Sequence, residues 1–183
     1  MSSTAPATNI APELSHLLAT KPLVFDRSHW GRIRLTGADR VRFLHNQTTN
    51  NIEQLSPGQG CHTVFVTSTG RTIDLASVYA SQDALQVVVS PGMGQQLYDW
   101  MDKYIFFSDK VTLTNETEQT FMFTVVSNNT DSLAALLTSA ETEENKVALP
   151  TEFFSHQQIQ IAGADCLVAV GSDLGIPGYT LIG

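Results

Sequence analysis

The sequence predicts an α+β domain whose helices cover one face of antiparallel or mixed sheets. Three observations carry that expectation. Segments with strand patterning outnumber helical ones, and short turns join them. Apolar residues make up 42% of the chain and charged residues 15%, a balance that buries a core and does not suit a disordered chain. The 183 residues suit one domain or two small subdomains, and no internal period of about 20–50 residues signals a repeat array.

Residues 1–10 are small and polar and read as a tail. Leu14, Leu17 and Leu18 share one face of a short helix over 12–19, which Pro22 stops. Residues 23–26 and 30–35 read as strands. In the second, Trp30, Arg32 and Arg34 alternate in part with Ile33 and Leu35, so one face is expected to be wet. Gly37 and Asp39 open a helix through about residue 46, with Val41 and Leu44 on one face, Phe43 beside them and Arg40 and Arg42 outward. Pro57-Gly58-Gln59-Gly60 is a turn. Residues 62–67 and 72–79 form a hairpin around Ser68-Thr69-Gly70-Arg71. Residues 84–90 add a strand that Pro91-Gly92 ends.

A helix over 93–106 presents Leu97, Trp100, Met101 and Tyr104 as a core stripe. Residues 109–113 alternate as a strand, and 121–127 is almost continuously apolar, which suits a central strand. Asp131 caps a helix to residue 137, and the charged stretch 141–146 is an exposed loop. Residues 158–161 and 166–170 make a second hairpin around Gly163-Ala164. Tyr179 to Ile182 reads as the start of a strand. The chain is therefore expected to be the front part of a longer protein, with a sheet edge there that could pair with another copy.

The net charge of −8 argues against binding to a nucleic-acid backbone, which needs a basic face. Arg32, Arg40 and Arg42 could still hold an anionic tail; the plainer alternative is a solvated helix face. Cys61 and Cys166 lie far apart in apolar runs and read as reduced, buried thiols. No Cys/His spacing suggests zinc, so no metal is expected. No apolar run reaches the ~18 residues of a membrane span, and the N-terminus lacks the features of a signal peptide. A cytoplasmic or equivalent reducing compartment is expected.

Candidate site residues cluster between residues 36 and 79. Asp74 is the one carboxylate in an otherwise apolar or small-residue strand and is the candidate for proton work; the alternative is a structural aspartate bonded to backbone or to Arg71. The run Asn46-Gln47-Thr48-Thr49-Asn50-Asn51 is either a solvated loop or a set of donors and acceptors for a flat polar ligand. Tyr79 and Tyr179 could stack on such a ring or pack in a core. His62 reads as an ordinary strand histidine.

Read in order, several pieces together resemble a known domain: Phe25-Asp26, Gly37-Ala38-Asp39, Phe43-Leu44, Thr49-Asn50-Asn51, Pro57-Gly58, His62-Thr63-Val64 and Gly70-Arg71-Thr72-Ile73-Asp74-Leu75. They resemble the folate-binding domain shared by the glycine-cleavage T-protein (aminomethyltransferase) and the YgfZ-type folate-dependent regulators. Lys103-Tyr104-Ile105-Phe106 and Asp109-Lys110-Val111 continue the match, which is best over about residues 23–113. No single piece is specific; their order is.

The resemblance implies two α+β subdomains around a folate-binding hole. Residues 1–22 would form the tail and short helix. Residues 23–50 with 111–183 would form one subdomain and 51–110 the other, and the barrel-like domain of full-length members would lie outside this chain. It implies tetrahydrofolate or a derivative as ligand, with Asn50, Asp74, Tyr79 and Tyr179 as binding residues and Asp74 as the only catalytic candidate.

Two departures shape the functional expectation. The T-protein pattern has paired aspartates where this chain has Asp74-Leu75. Its Tyr-Thr-Gly-Glu-x-Gly-Phe-Glu corresponds to Asp173-Leu174-Gly175-Ile176-Pro177-Gly178-Tyr179-Thr180, with Ile176 at the pterin-holding glutamate. An apolar side chain cannot accept the pterin's N–H donors. The expectation is a YgfZ-like folate binder that supports iron–sulfur enzymes, without aminomethyl transfer and without nucleic-acid or membrane partners. A T-protein-like aminomethyltransferase of glycine cleavage and a non-catalytic scaffold with a decayed pocket are the alternatives.

Overall fold

A computed structural model describes residues 12–129, 133, 137, 149–161 and 163–183. The elements are α1 (Pro12–Thr20), β1 (Leu23–Asp26), β2 (Trp30–Thr36), α2 (Arg40–Gln47), β3 (Gln59–Val66), β4 (Thr72–Ala80), β5 (Ala84–Pro91), α3 (Met93–Asp102), β6 (Thr112–Asn115), β7 (Met122–Val126), β8 (His156–Ile161), β9 (Ala164–Val170) and β10 (Gly178–Ile182). The helix expected from Asp131 and the loop 141–146 lie outside the described residues, apart from Leu133 and Leu137, which are buried.

The strands form two five-stranded sheets. Sheet I has the order β3-β4-β5-β2-β6 and sheet II the order β1-β7-β10-β9-β8. Every registered ladder is antiparallel; short connections account for the direction of β3–β4, β4–β5, β8–β9 and β9–β10, whose strands follow one another in sequence.

Side-chain alternation sorts the strands of each sheet onto two faces. On sheet I, Ile33, Leu35, Val78, Val87 and Val89 point to one side and pack with Leu44, Leu97 and Met101 of α2 and α3. The opposite face carries Tyr79 and Val88, which meet Met122, Leu167, Ala169 and Ile182 of sheet II and Phe154 from the segment before β8. The far face of sheet II gathers Val125, Cys166, Val168, Tyr179 and Leu181 around Leu133 and Leu137. The helix stripe behaves as expected at Leu97 and Met101, which are fully buried, whereas Tyr104 is exposed.

Several expectations change. The sheets do not divide at residues 50 and 111: β2 and β6 both belong to sheet I, where β2 pairs with β5 on one side and β6 on the other. Only β1 of the first segment joins sheet II, because Ser28 and the turn at Arg27–Trp30 redirect the chain between β1 and β2. β10 is no free edge; it is buried along its length and paired on both sides. α3 stops at Asp102, where Tyr104 and Ile105 close tight turns onto Met101 and Asp102 and the Asp109 carboxylate accepts the Phe106 N–H. The strand expected over 109–113 begins only at Thr112, because Asp39 exchanges hydrogen bonds with the Lys110 backbone and holds it beside α2. Cys61 is half-buried and Cys166 buried, both as free thiols that burial pushes up from their ordinary titration range.

The largest departure is Arg32. Its strand face is not wet: the side chain is fully buried. The guanidinium donates to Thr120 Oγ1 at 2.6 Å, to the carbonyls of Ser28 (3.1 Å), Trp30 (2.7 Å) and Thr120 (2.7 Å), and to the Thr117 carbonyl. The planar fork thereby gathers two chain segments that would otherwise leave buried carbonyls without donors. Arg40 is likewise committed to the carbonyls of Gly37 and Gln82, and Arg42 to Asp39 and Asp109, so the three arginines build no shared anion site.

Two outcomes follow. Arg32→Met is expected to destabilise the fold by about 3–5 kcal/mol by orphaning several carbonyls, and Arg32→Lys recovers little because an ammonium cannot fork; urea unfolding measures both. Burial holds His156 below the ordinary histidine range, opposed in part by the carbonyls of Phe154 and Ala80. It stays neutral in the fold while the unfolded chain takes up a proton near pH ~6.5. Stability is therefore full above that pH and is lost as pH falls toward the lower folded value. His156→Leu should flatten this slope in melting temperatures recorded from pH 8 to pH 5.

Candidate functional site

Two cavities are lined by residues of both sheets. The larger is a cleft of about 950 Å³ lined by Trp30 of β2, His62 of β3, Leu75 and Ser77 of β4, Phe153, most of the loop between β9 and β10, and Tyr179 of β10. A smaller cavity of about 510 Å³ is lined by Arg34, Tyr79, Gln86, Glu116, Gln158 and Asp165.

The cleft's walls follow from local rules. On β4, Leu75 and Ser77 face the cleft while Ala76 and Val78 face the helical layer. Leu75 is consequently 54% exposed in the middle of a strand. The β9–β10 loop is folded by Ser172, whose Oγ donates to the Ile176 carbonyl at 2.6 Å and accepts the Leu174 N–H. Asp173 sits in this loop at φ 56°, a left-handed conformation that Asp and Asn tolerate better than most residues. Gly171 has no Cβ because one would meet the Phe153 ring at 2.8 Å. Phe153 itself is 63% exposed, and Arg27 lies over the Trp30 ring.

A chain of polar contacts crosses the cleft, one hydrogen bond and one imidazole–carboxylate contact. Ser77 Oγ lies 3.2 Å from His62 Nδ1, and His62 Nε2 lies 3.4 Å from Asp173 Oδ1. The imidazole packs edge-on against Phe154 with ring centroids 4.4 Å apart. His62 and Ser77 are direct partners in the β3–β4 ladder; Asp173 comes from the loop of the other sheet. Asp173 is the only carboxylate among the described residues lining the cleft.

The four residues expected to bind a ligand fare differently. Tyr179 lines the cleft; its hydroxyl donates to the Pro150 carbonyl, and burial pushes it up from its ordinary titration range. Tyr79 lines the smaller cavity instead. It packs against Phe154 and His156 between the sheets, and burial strongly disfavours its ionised form. Asn50 is not among the cleft's described lining residues: its Nδ2 donates to the His62 carbonyl at 2.7 Å and its N–H to Thr63 Oγ1. With Thr49 it stitches the polar run onto the edge of β3, which would otherwise carry unpaired backbone groups.

Asp74 is not among those lining residues either. It is 8% exposed on the opposite side of β4, and its oxygens accept the Ser90 N–H at 2.8 Å and Ser90 Oγ–H at 2.6 Å. The registered β4–β5 ladder ends at Ser77 and Val88, so Asp74 supplies the acceptor that the strand no longer provides. Asp74 is thus bonded to the backbone N–H and the hydroxyl of Ser90, and it makes no hydrogen bond to Arg71.

With this geometry in place, comparison with known proteins assigns the lineage. The GCVT N-terminal domain family matches residues 7–180. The chain belongs to this family. It is 39% identical over 160 residues to a chloroplastic candidate transferase of Arabidopsis thaliana, covering 87% of this chain and 36% of that protein. It is 27% identical over 163 residues to an aminomethyltransferase of Bacillus velezensis, covering 88% of this chain and 43% of that one. The crystal structure of the glycine cleavage system aminomethyltransferase T from Bartonella henselae superposes with a TM-score of 0.74 at 18% identity, over 92% of this chain and 44% of that chain. The chain thus spans less than half the length of these relatives, and the likeness to the Bartonella protein establishes the α+β fold.

The geometry separates two neighbouring residues by role. Asp74→Ala is expected to lower stability by about 1–3 kcal/mol, the cost of orphaning the Ser90 donors. Leu75→Ala should stay within about 0.5 kcal/mol of the parent, because Leu75 is a surface residue of the cleft wall. Denaturant midpoints of the two variants check this.

Proposed function

We propose that this chain binds a reduced folate, tetrahydrofolate or a derivative, in the cleft between the sheets, and that it does not transfer aminomethyl groups. The observation that carries the reading is the cleft wall at Leu75. In the T-protein pattern a pair of aspartates follows the glycine turn. Here the first, Asp74, is turned away and consumed by Ser90, and the position that faces the cleft is a leucine. A transfer reaction that needs a carboxylate beside the folate nitrogens lacks one on this strand.

The cleft fits the ligand class. Its size lies within the range of small-molecule sites, its walls include Trp30, Phe153 and Tyr179, and its polar groups are few and convergent. The flat face of a pterin suits those rings. Ile176 also lines the cleft, at the position where the T-protein pattern carries a glutamate.

The YgfZ-like role, supporting iron–sulfur enzymes through a folate, rests on this loss of the catalytic pair together with family membership. The competing reading, an aminomethyltransferase, rests on the 27% identity to the Bacillus enzyme. A reducing compartment agrees with the two free thiols; the Arabidopsis relative is chloroplastic, so the proposal is a reducing compartment and not the cytoplasm in particular.

Calorimetric titration of this chain with tetrahydrofolate and 5-formyltetrahydrofolate tests the reading. Saturable binding of either is expected, together with no aminomethyl transfer to tetrahydrofolate in a turnover assay. Turnover by the parent chain would instead select the aminomethyltransferase. Absence of binding would select the decayed scaffold. Leu75→Asp is expected to leave the fold intact and to change folate affinity, because position 75 faces the cleft.

A further inference from the structure

We infer that the smaller cavity is a second small-molecule site, separate from the cleft, and that it takes a free α-amino acid with an apolar side chain, its carboxylate on Arg34 and Gln86 and its ammonium on Glu116. The inference does not rest on the folate reading, because the two cavities share no lining residue among the described residues.

The cavity is built from two facing rows. Tyr79, Gln86 and Arg34 are ladder partners on β4, β5 and β2, so they form one row across sheet I. Leu85 and Val87, on either side of Gln86, pack into the helical layer, so Gln86 turns the other way. Gln158, Leu167 and Ile182 are ladder partners on β8, β9 and β10 and form the second row. Glu116, just after β6, and Asp165, near the start of β9, also line the space. Its volume of about 510 Å³ falls in the range of small-molecule sites.

Three polar groups in it have capacity left. Gln86 is only 9% exposed, yet its Nε2 has no hydrogen-bond partner. A buried amide N–H left unpaired is costly, and a bound acceptor removes that cost. Arg34 meets Asp83 through one nitrogen at 3.7 Å, beyond hydrogen-bond distance, and the Asp83 side chain is itself 77% exposed. The Arg34 guanidinium makes no hydrogen bond among the described residues, so its planar fork is open to a carboxylate. Arg32, the next residue of that strand face, is by contrast fully committed to carbonyls and Thr120. The Glu116 carboxylate makes neither a hydrogen bond nor an ion pair among the described residues. Asp165 is already engaged by the Gln160 amide.

Placement selects the ligand. Arg34 and Gln86 project to the same side from adjacent strands, with Cβ atoms ~5 Å apart by ladder geometry, so both can donate to one carboxylate. Thr114 is the ladder partner of Arg34, and Glu116 is the next residue of that face. The Glu116 N–H donates to the Arg32 carbonyl at 2.8 Å, so the ladder geometry continues past β6 and makes Glu116 a diagonal neighbour of Arg34, roughly 7–8 Å away. A cation and an anion thus line one cavity as neighbours without pairing to each other. A simple anion would meet Glu116 and Asp165 as like charges, and a simple cation would meet Arg34; a molecule with a carboxylate and an ammonium on one carbon answers both. The Tyr79 ring, Leu167 and Ile182 leave an apolar wall for its side chain.

Calorimetric titration of the chain with L-leucine, L-methionine and L-phenylalanine tests the proposal. Saturable binding of at least one is expected. The N-acetyl derivative of that amino acid lacks the ammonium and its amide lacks the carboxylate, and each should bind at least about tenfold more weakly. Arg34→Gln is expected to weaken binding by roughly tenfold to a hundredfold, and Gln86→Met by about tenfold. Neither change should alter affinity for 5-formyltetrahydrofolate. Melting temperatures check that the variants fold; should one fail to fold, the derivative titrations on the parent chain decide. No saturable binding of any of the three at up to about 10 mM overturns the proposal. So do derivatives that bind as tightly as the amino acid, or a folded Arg34→Gln chain that binds as tightly as the parent. An amino acid that competes with 5-formyltetrahydrofolate lies in the cleft and also overturns it, whereas absence of folate binding alone leaves it standing.

Discussion

The contact between Tyr79 and Val88 on one sheet and Leu167, Ala169, Ile182 and Phe154 on the other is the constraint on which the rest of the structure depends. It joins two sheets that each have a second apolar face covered elsewhere. Both the cleft and the smaller cavity are lined by residues of both sheets. Burial at this contact is non-directional and scales with area. The precise placement of the cleft residues therefore has to come from polar contacts around it.

Those polar contacts consume nearly all the charge that looked functional in the sequence. Arg32 is spent on backbone carbonyls, Asp74 on the end of β5, Arg42 on Asp39 and Asp109, and Asn50 on the edge of β3. A domain built from two sheets and short connections has many strand ends and turns, and each exposes donors or acceptors that must be paired when buried. In this protein the conspicuous charged and amide residues meet that need. The cleft is left with a few hydroxyls, one histidine and one loop aspartate among its described lining residues, none of which stands out from its neighbours in the sequence.

Much of the fold was legible because strand and helix periodicity is local. The hairpin of β3 and β4, the strands β5, β7 and β9 and the helix α2 all fall close to where alternation, turn residues and apolar spacing place them. Even the pairing of His62 with Ser77 was within reach, since a hairpin folded symmetrically about residues 68–71 sets those two opposite each other. The ends of α3 and β6 were not legible. They are decided by Asp109 accepting the Phe106 N–H within one irregular turn, which no periodicity marks, and by Asp39 holding Lys110 from 71 residues away in sequence.

By itself the sequence determined the class of fold, the order of its elements and the departure at Leu75 and Ile176 from a family pattern, because each depends on residue type and short-range spacing. Tertiary structure alone decided which sheet each strand joined, which side of β4 looked into a cavity, and that Asp173 would meet His62 across it. Sheet partners are chosen by contacts tens of residues apart, and a strand's two faces are equivalent until something packs against one of them. The pairing of a loop carboxylate from sheet II with an imidazole from sheet I exists only once both sheets have closed on Phe154.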